Sequence, residues 1–184
     1  MNIFRSLFLM LGLIVLSGCA TNQITDFSDR SVAFVWVNVD EARGNKVVGG
    51  SFRTFGNANL NENYPAGVTK LGDGFVLYHI GLPNGPAKLS TVSAMFCIGL
   101  CNNTVNVYDF GAQGGNVAAV NIRSRGVYDL GRYAIVSQRT GLFSPGVFDV
   151  KPIAGPSKRD ILMLLLDTVD PKQRPLIQAE LNRL

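Results

Sequence analysis

The octapeptide Val32-Ala33-Phe34-Val35-Trp36-Val37-Asn38-Val39 constrains the fold more than any other stretch of this chain. Its β-branched and aromatic residues suit a pleated backbone. Successive side chains of a strand point to opposite faces. Here both sets are apolar, Val32, Phe34 and Trp36 on one side and Ala33, Val35, Val37 and Val39 on the other. The segment therefore reads as a central strand of a sheet.

Short β-branched and aromatic runs continue as far as Gly155, punctuated by Gly, Asn and Pro, which is the texture of antiparallel β structure. Strands are expected at residues 46–55, 75–82, 87–97, 104–110, 116–122 and 127–138, with a short edge strand at 147–150. Between them lie an Asn-rich polar loop at 56–67, a Pro-Asn-Gly-Pro turn at 83–86 and a glycine-rich segment, 111–115, that reads as a hairpin turn. Gly131 interrupts a strand-like run and marks a β-bulge. About eight strands at this spacing predict a mainly β fold, an antiparallel β-sandwich over residues 31–155.

The period changes at the C-terminal end. Ser157 and Asp160 have the spacing of a helix-capping pair, after which Ile161, Leu164, Leu165 and Val169 recur at helical intervals. Ile177, Glu180, Leu181 and Leu184 repeat the pattern beyond Asp170-Pro171. One or two short α-helices are expected in residues 156–184. Ile161, Leu162, Met163, Leu164, Leu165 and Leu166 make the first apolar on most sides, which suits either deep packing on the sandwich or docking of a partner.

Residues 1–18 follow different rules. Arg5 is their single charge and precedes an uncharged run, residues 6–16, dominated by Leu, Ile, Val, Phe and Met. A positive start, an apolar run and small residues at its end are the order of a secretory signal. The run is shorter than the ~20 residues needed to span a bilayer. It ends Leu16-Ser17-Gly18-Cys19, which resembles the lipobox of bacterial lipoproteins at all four positions. That resemblance implies cleavage before Cys19, transfer of a diacylglyceryl group to its thiol, and acylation of the new α-amine with a chain such as palmitate. Two or three acyl chains on one residue anchor a protein stably. Ala20, where Asp would retain such a protein in the inner membrane, implies the outer membrane, facing the periplasm. Residues 19–30 then form a lipidated tether. The β texture is similar to that of several uncharacterised lipoproteins with prealbumin-like sandwiches, a likeness that carries no functional residue across.

With Cys19 assigned to lipid, Cys97 and Cys101 remain. In an oxidising periplasm two cysteines so close in sequence are a disulfide candidate, and Gly99 lets the chain turn between them. Two buried thiols are the alternative. The spacing is not the C-x2-C of a redox motif.

Composition limits the remaining classes. The chain is 47% hydrophobic and 16% charged, which is core-forming. Beyond residue 18, 16 Lys and Arg face 13 acidic residues and are scattered, so there is no basic stripe for nucleic acid. His79, the single histidine, has no G-x-S-x-G elbow to serve as a triad base. The glycines of 111–115 lack P-loop spacing, and Asp26, Asp29, Asp40 and Glu41 lack the spacing of a Ca²⁺ loop. One histidine without a second cysteine pair argues against zinc. No catalytic residue, metal ligand or cofactor is therefore assigned. Tyr64, Phe75, Tyr78, Tyr108, Phe110, Tyr128 and Tyr133 suit core packing or a ligand groove. The expected function is a non-enzymatic, membrane-anchored lipoprotein. It would contact an envelope protein or the cell wall through the β-domain or the helix carrying Ile161 to Leu166. Small-molecule or glycan binding is the alternative, and an envelope hydrolase using scattered carboxylates is the third reading.

Overall fold

The computed structural model describes residues 29–42, 44–55, 62–111, 115–138 and 147–184, with the side chains of 98 and 100–104 excepted. Strand β1 (Ser31–Asn38) is buried along nearly its whole length and lies in the middle of a five-stranded sheet. The strands that follow are β2 (Lys46–Thr54), β3 (Asn63–Pro65), β4 (Gly67–Leu71), β5 (Gly74–Leu82), β6 (Gly85–Ile98), β7 (Leu100–Asp109), β8 (Val120–Ile122), β9 (Val127–Gln138) and β10 (Val147–Pro152). Helix α1 (Lys158–Thr168), a 3₁₀ turn (Pro171–Gln173) and helix α2 (Arg174–Leu181) complete the described chain.

The first sheet has the order β10-β9-β1-β5-β4; the second has the order β3-β2-β6-β7, with β8 also pairing β6. Ala33, Val35 and Val37 enter the core between the sheets together with Phe52, Leu77, Leu89, Val92 and Ile135. Phe34 and Trp36 point the other way and meet Val76, Ile161, Leu162, Leu165 and Ile177. The molecule thus has three layers: helices, first sheet, second sheet. Burying each large apolar side chain contributes about 1.5–3 kcal/mol, so a strand apolar on both faces is stable only with cover on both. Trp36 Nε1 donates to the Leu71 carbonyl at 3.1 Å, which satisfies its one polar atom.

Several expected elements are present with shifted ends, and four differ. First, the sandwich is not wholly antiparallel: β9 runs parallel to β1, with Val32 opposite Val127. The chain crosses from β8 to the start of β1, where Val32 N donates to Gly126 O at 3.0 Å and the Ser31 hydroxyl bonds both Ser124 O and Gly126 N. Second, β7 and β8 do not form a hairpin across 111–115, of which residues 112–114 lie outside the described set. β7 and β8 both pair antiparallel with β6, at residues 91–98 and 85–87, so they run in the same direction along one edge. The chain leaves that edge after Asp109 and rejoins it at Val120. Third, within residues 56–67, Asn63–Pro65 forms β3 and Gly67 opens β4, and residues 56–61 lie outside the described set. Fourth, the strand expected at 116–122 is only β8.

The expected bulge is present. Phe34 faces Asp129 and Trp36 faces Arg132, so one residue of β1 lies against two of β9, and Gly131 has φ +104°. The helical cap also forms as its spacing predicts: Ser157 Oγ accepts from Asp160 N at 3.1 Å, and Asp160 Oδ2 accepts from Ser157 N at 3.1 Å. In α1, Ile161, Leu162 and Leu165 are buried against the first sheet, while Met163 is exposed.

Candidate functional groove

A groove of about 710 Å³ opens at one end of the sandwich, where β4 at the margin of the first sheet faces the beginning of β2 in the second. That volume falls within the ~300–1,000 Å³ typical of small-molecule sites. One wall is Asn45, Lys46, Val47 and Val48, with Cys97 beside it. The other is Val68, Thr69 and Lys70, and Phe75 belongs to the same lining.

Local sequence effects shape each wall. On β2, Val47 pairs with Ala94 and Gly49 with Ser93, so Val48 is the extra residue of a bulge and stands 42% exposed. Just before β2, the Asn45 side chain imitates a peptide group. Its Oδ1 accepts from Cys97 N at 2.8 Å and its Nδ2 donates to Cys97 O at 2.6 Å, which prolongs the β2–β6 ladder by one step. On β4, Lys70 lies opposite Phe75 and Val68 opposite Leu77. Directly opposed residues share a face. Phe75 and Leu77 belong to the core between the sheets, so Lys70 leaves β4 on the core-facing side, at the mouth. Among the described residues the lining contains two lysines and no carboxylate. Among the described residues neither ammonium takes part in an ion pair.

The residues singled out from sequence are dispersed. Cys19 lies outside the described residues. Cys97 and Cys101 are direct partners in the β6–β7 ladder. Opposed Cα atoms in such a ladder are about 4.5–5.5 Å apart, within the ~4.4–6.8 Å that a disulfide spans. His79 is held by structure on two sides: its Nδ1–H donates to Pro65 O at 2.8 Å and its ring stands edge-on to Tyr64 at 5.3 Å. Its Nε2 is buried without a hydrogen-bond partner among the described residues. Burial pushes the imidazole below its ordinary pKa of 6.5, only partly countered by the bond to Pro65.

The aromatic residues do not gather into one groove. Tyr108 and Phe110 pack edge-on around Phe148, with centroids 5.1 and 5.3 Å away. Tyr78 packs toward the helices, and the Tyr128 hydroxyl secures the β8–β9 crossing by donating to Ser124 O at 2.7 Å. Only Phe75 of that set reaches the groove. Burial raises the Tyr64, Tyr78 and Tyr133 hydroxyl pKa values, so none of them is an activated phenol. Among the acids, Asp40 closes a local turn with Asn38, and Asp29 sits 4.0 Å from Arg30. Among the described residues no group of three or more His, Cys, Asp and Glu could hold a metal ion.

Sequence reasoning missed Lys46, Val48, Val68 and Lys70. The available signal was Gly72-Asp73, a two-residue connection between Leu71 and Gly74 with Gly72 at φ +62°, which identifies 67–71 as the first arm of a hairpin. No family model matches this chain, and no curated protein or solved structure is significantly similar to it.

Proposed function

We propose that this chain is a lipid-anchored lipoprotein of a bacterial envelope, with its sandwich serving as a non-enzymatic interaction module. The anchor rests on Leu16-Ser17-Gly18-Cys19 and its position before a polar segment. Cys19 carries the lipid, Ala20 directs it to the outer membrane, and residues 19–30 span at most about 40 Å between membrane and domain. A bridge between Cys97 and Cys101 belongs to the same proposal, since the periplasm is oxidising and their backbones oppose each other.

One observation carries the interaction half of the reading, the inequality of the two sheets. The helices cover the outer face of the first, while on the second Val105 and Val107 of β7 are 42% and 51% exposed, opposite Met95 and Ser93. Val105 and Val107, two apart on one strand, point to the same face and form an apolar patch that we assign to a protein partner. In α1 the burial of Ile161, Leu162 and Leu165 against the first sheet leaves Met163 as its exposed large apolar residue. The non-enzymatic reading is supported by the structural engagement of His79, whose ring bonds Pro65 O.

Palmitate labelling in cells tests the anchor: Cys19→Ala is expected to abolish the label and shift the chain from the membrane to the soluble fraction. A variant that still carried label would overturn it. A photo-crosslinker at position 107 is expected to give a discrete adduct in intact cells; an adduct-free β7 would remove the interaction surface.

A further inference from the structure

We infer that the groove between β2 and β4 binds an amphipathic anion, a molecule with a carboxylate or phosphate at one end of an apolar chain. Three features of the lining point to that chemistry. Val48, turned into solvent by the β2 bulge, and half-buried Val68 supply apolar surface where the two sheets part, over the buried side chains of Val47 and Phe75. Among the described residues Lys46 and Lys70 are the only charged members of the lining, and neither takes part in an ion pair. Lys70 leaves its strand on the core-facing side and is exposed, so it joins the lining at the groove mouth rather than the outer face of the sheet. A cation at the mouth of an apolar slot complements a molecule that is charged at one end only.

The same lining disfavours a neutral sugar. A pyranose face stacks on an exposed ring, and Phe75, the one aromatic residue among the described lining residues, is only 9% exposed. The wall is also held in place before any ligand arrives. The two Asn45–Cys97 hydrogen bonds fasten the start of β2 to β6, so little ordering accompanies binding.

The ligand chemistry has two sources, a free amphiphile such as a fatty acid or the headgroup and chain of a membrane lipid. Calorimetric titration of the full chain carrying Cys19→Ala separates them. Sodium dodecanoate below its micellar concentration is expected to bind one to one, with acetate and dodecanol each weaker by about tenfold or more. Lys70→Glu and Lys46→Glu, both at exposed positions, should each weaken dodecanoate about tenfold, whereas Lys151→Glu on β10 should not. Dependence on Lys70 also separates the groove from any uptake by the apolar residues 6–16. Dodecanoate binding with that dependence supports a free amphiphile. Lys70-dependent sedimentation with phosphatidylglycerol vesicles but not phosphatidylcholine vesicles, without dodecanoate binding, supports a membrane lipid. The inference is overturned if neither probe binds, if dodecanol binds as well as dodecanoate, or if Lys70→Glu leaves binding unchanged.

Discussion

At the residue scale, contact geometry decides which positions tolerate change. A Cβ on Gly74 would sit 2.3 Å from Trp36 Cζ2 and 2.6 Å from the Val37 carbonyl oxygen. The second neighbour is backbone inside the central strand and cannot rotate away. Gly74→Ala is therefore expected to cost about 1–3 kcal/mol, seen as a lower denaturant midpoint with unchanged slope. His79 makes a prediction about pH. Its pKa is lower folded than unfolded, so the unfolded chain binds the extra proton as pH falls below 6.5. The stability due to neutral His79 is complete above 6.5 and is lost as pH falls toward the folded pKa. Melting between about pH 7.5 and about pH 5 should show a steeper fall in Tm for the native chain than for His79→Gln; equal slopes would exclude His79 as the cause. That His79 is a strand histidine was readable from Tyr78 and Ile80 beside it. Its bond to Pro65 was not, because Pro65 lies in a segment whose polar residues suggested a loop.

Single elements were legible where their determinants are local. The Ser157–Asp160 cap and the bulge at Gly131 each depend on a few consecutive residues, so spacing and residue type suffice. β7 and β8 show the opposite case. Glycines between two β-like runs suit a hairpin, yet here the chain rejoins the edge of β6 that it left, and only the β6 register reveals it. The β6–β7 connection carries its own test. With Cys97 opposite Cys101, both thiols should resist alkylation until reductant is added, as read by intact mass. Reduction should lower stability by about 2 kcal/mol, since so short a loop gains little from closure. Alkylation of both cysteines in unreduced protein would remove the bridge from the account.

For the whole molecule, the helices are part of the core. Phe34, Trp36 and Val76 on one side meet Ile161, Leu162, Leu165 and Ile177 on the other, and buried Gln173 donates to Ile80 O at 3.2 Å. Ending the chain at residue 155 would strip that cover from the central strand. The shortened chain is expected to lose the near-ultraviolet dichroism of Trp36 and its cooperative melting transition; native-like spectra would show that the sandwich stands without its helices. The sequence by itself determined the central strand, the β class, the bulge and the helix cap. Each of these follows from side-chain alternation, backbone sterics or hydrogen bonds between near neighbours. Only the tertiary structure decided that β9 lies parallel to β1, that the helices cover the first sheet and not the second among the described residues, and that Lys70 and Val48 line one groove. Those outcomes depend on which distant strands pair and in which register, and alternation within a strand is the same whichever neighbour it meets.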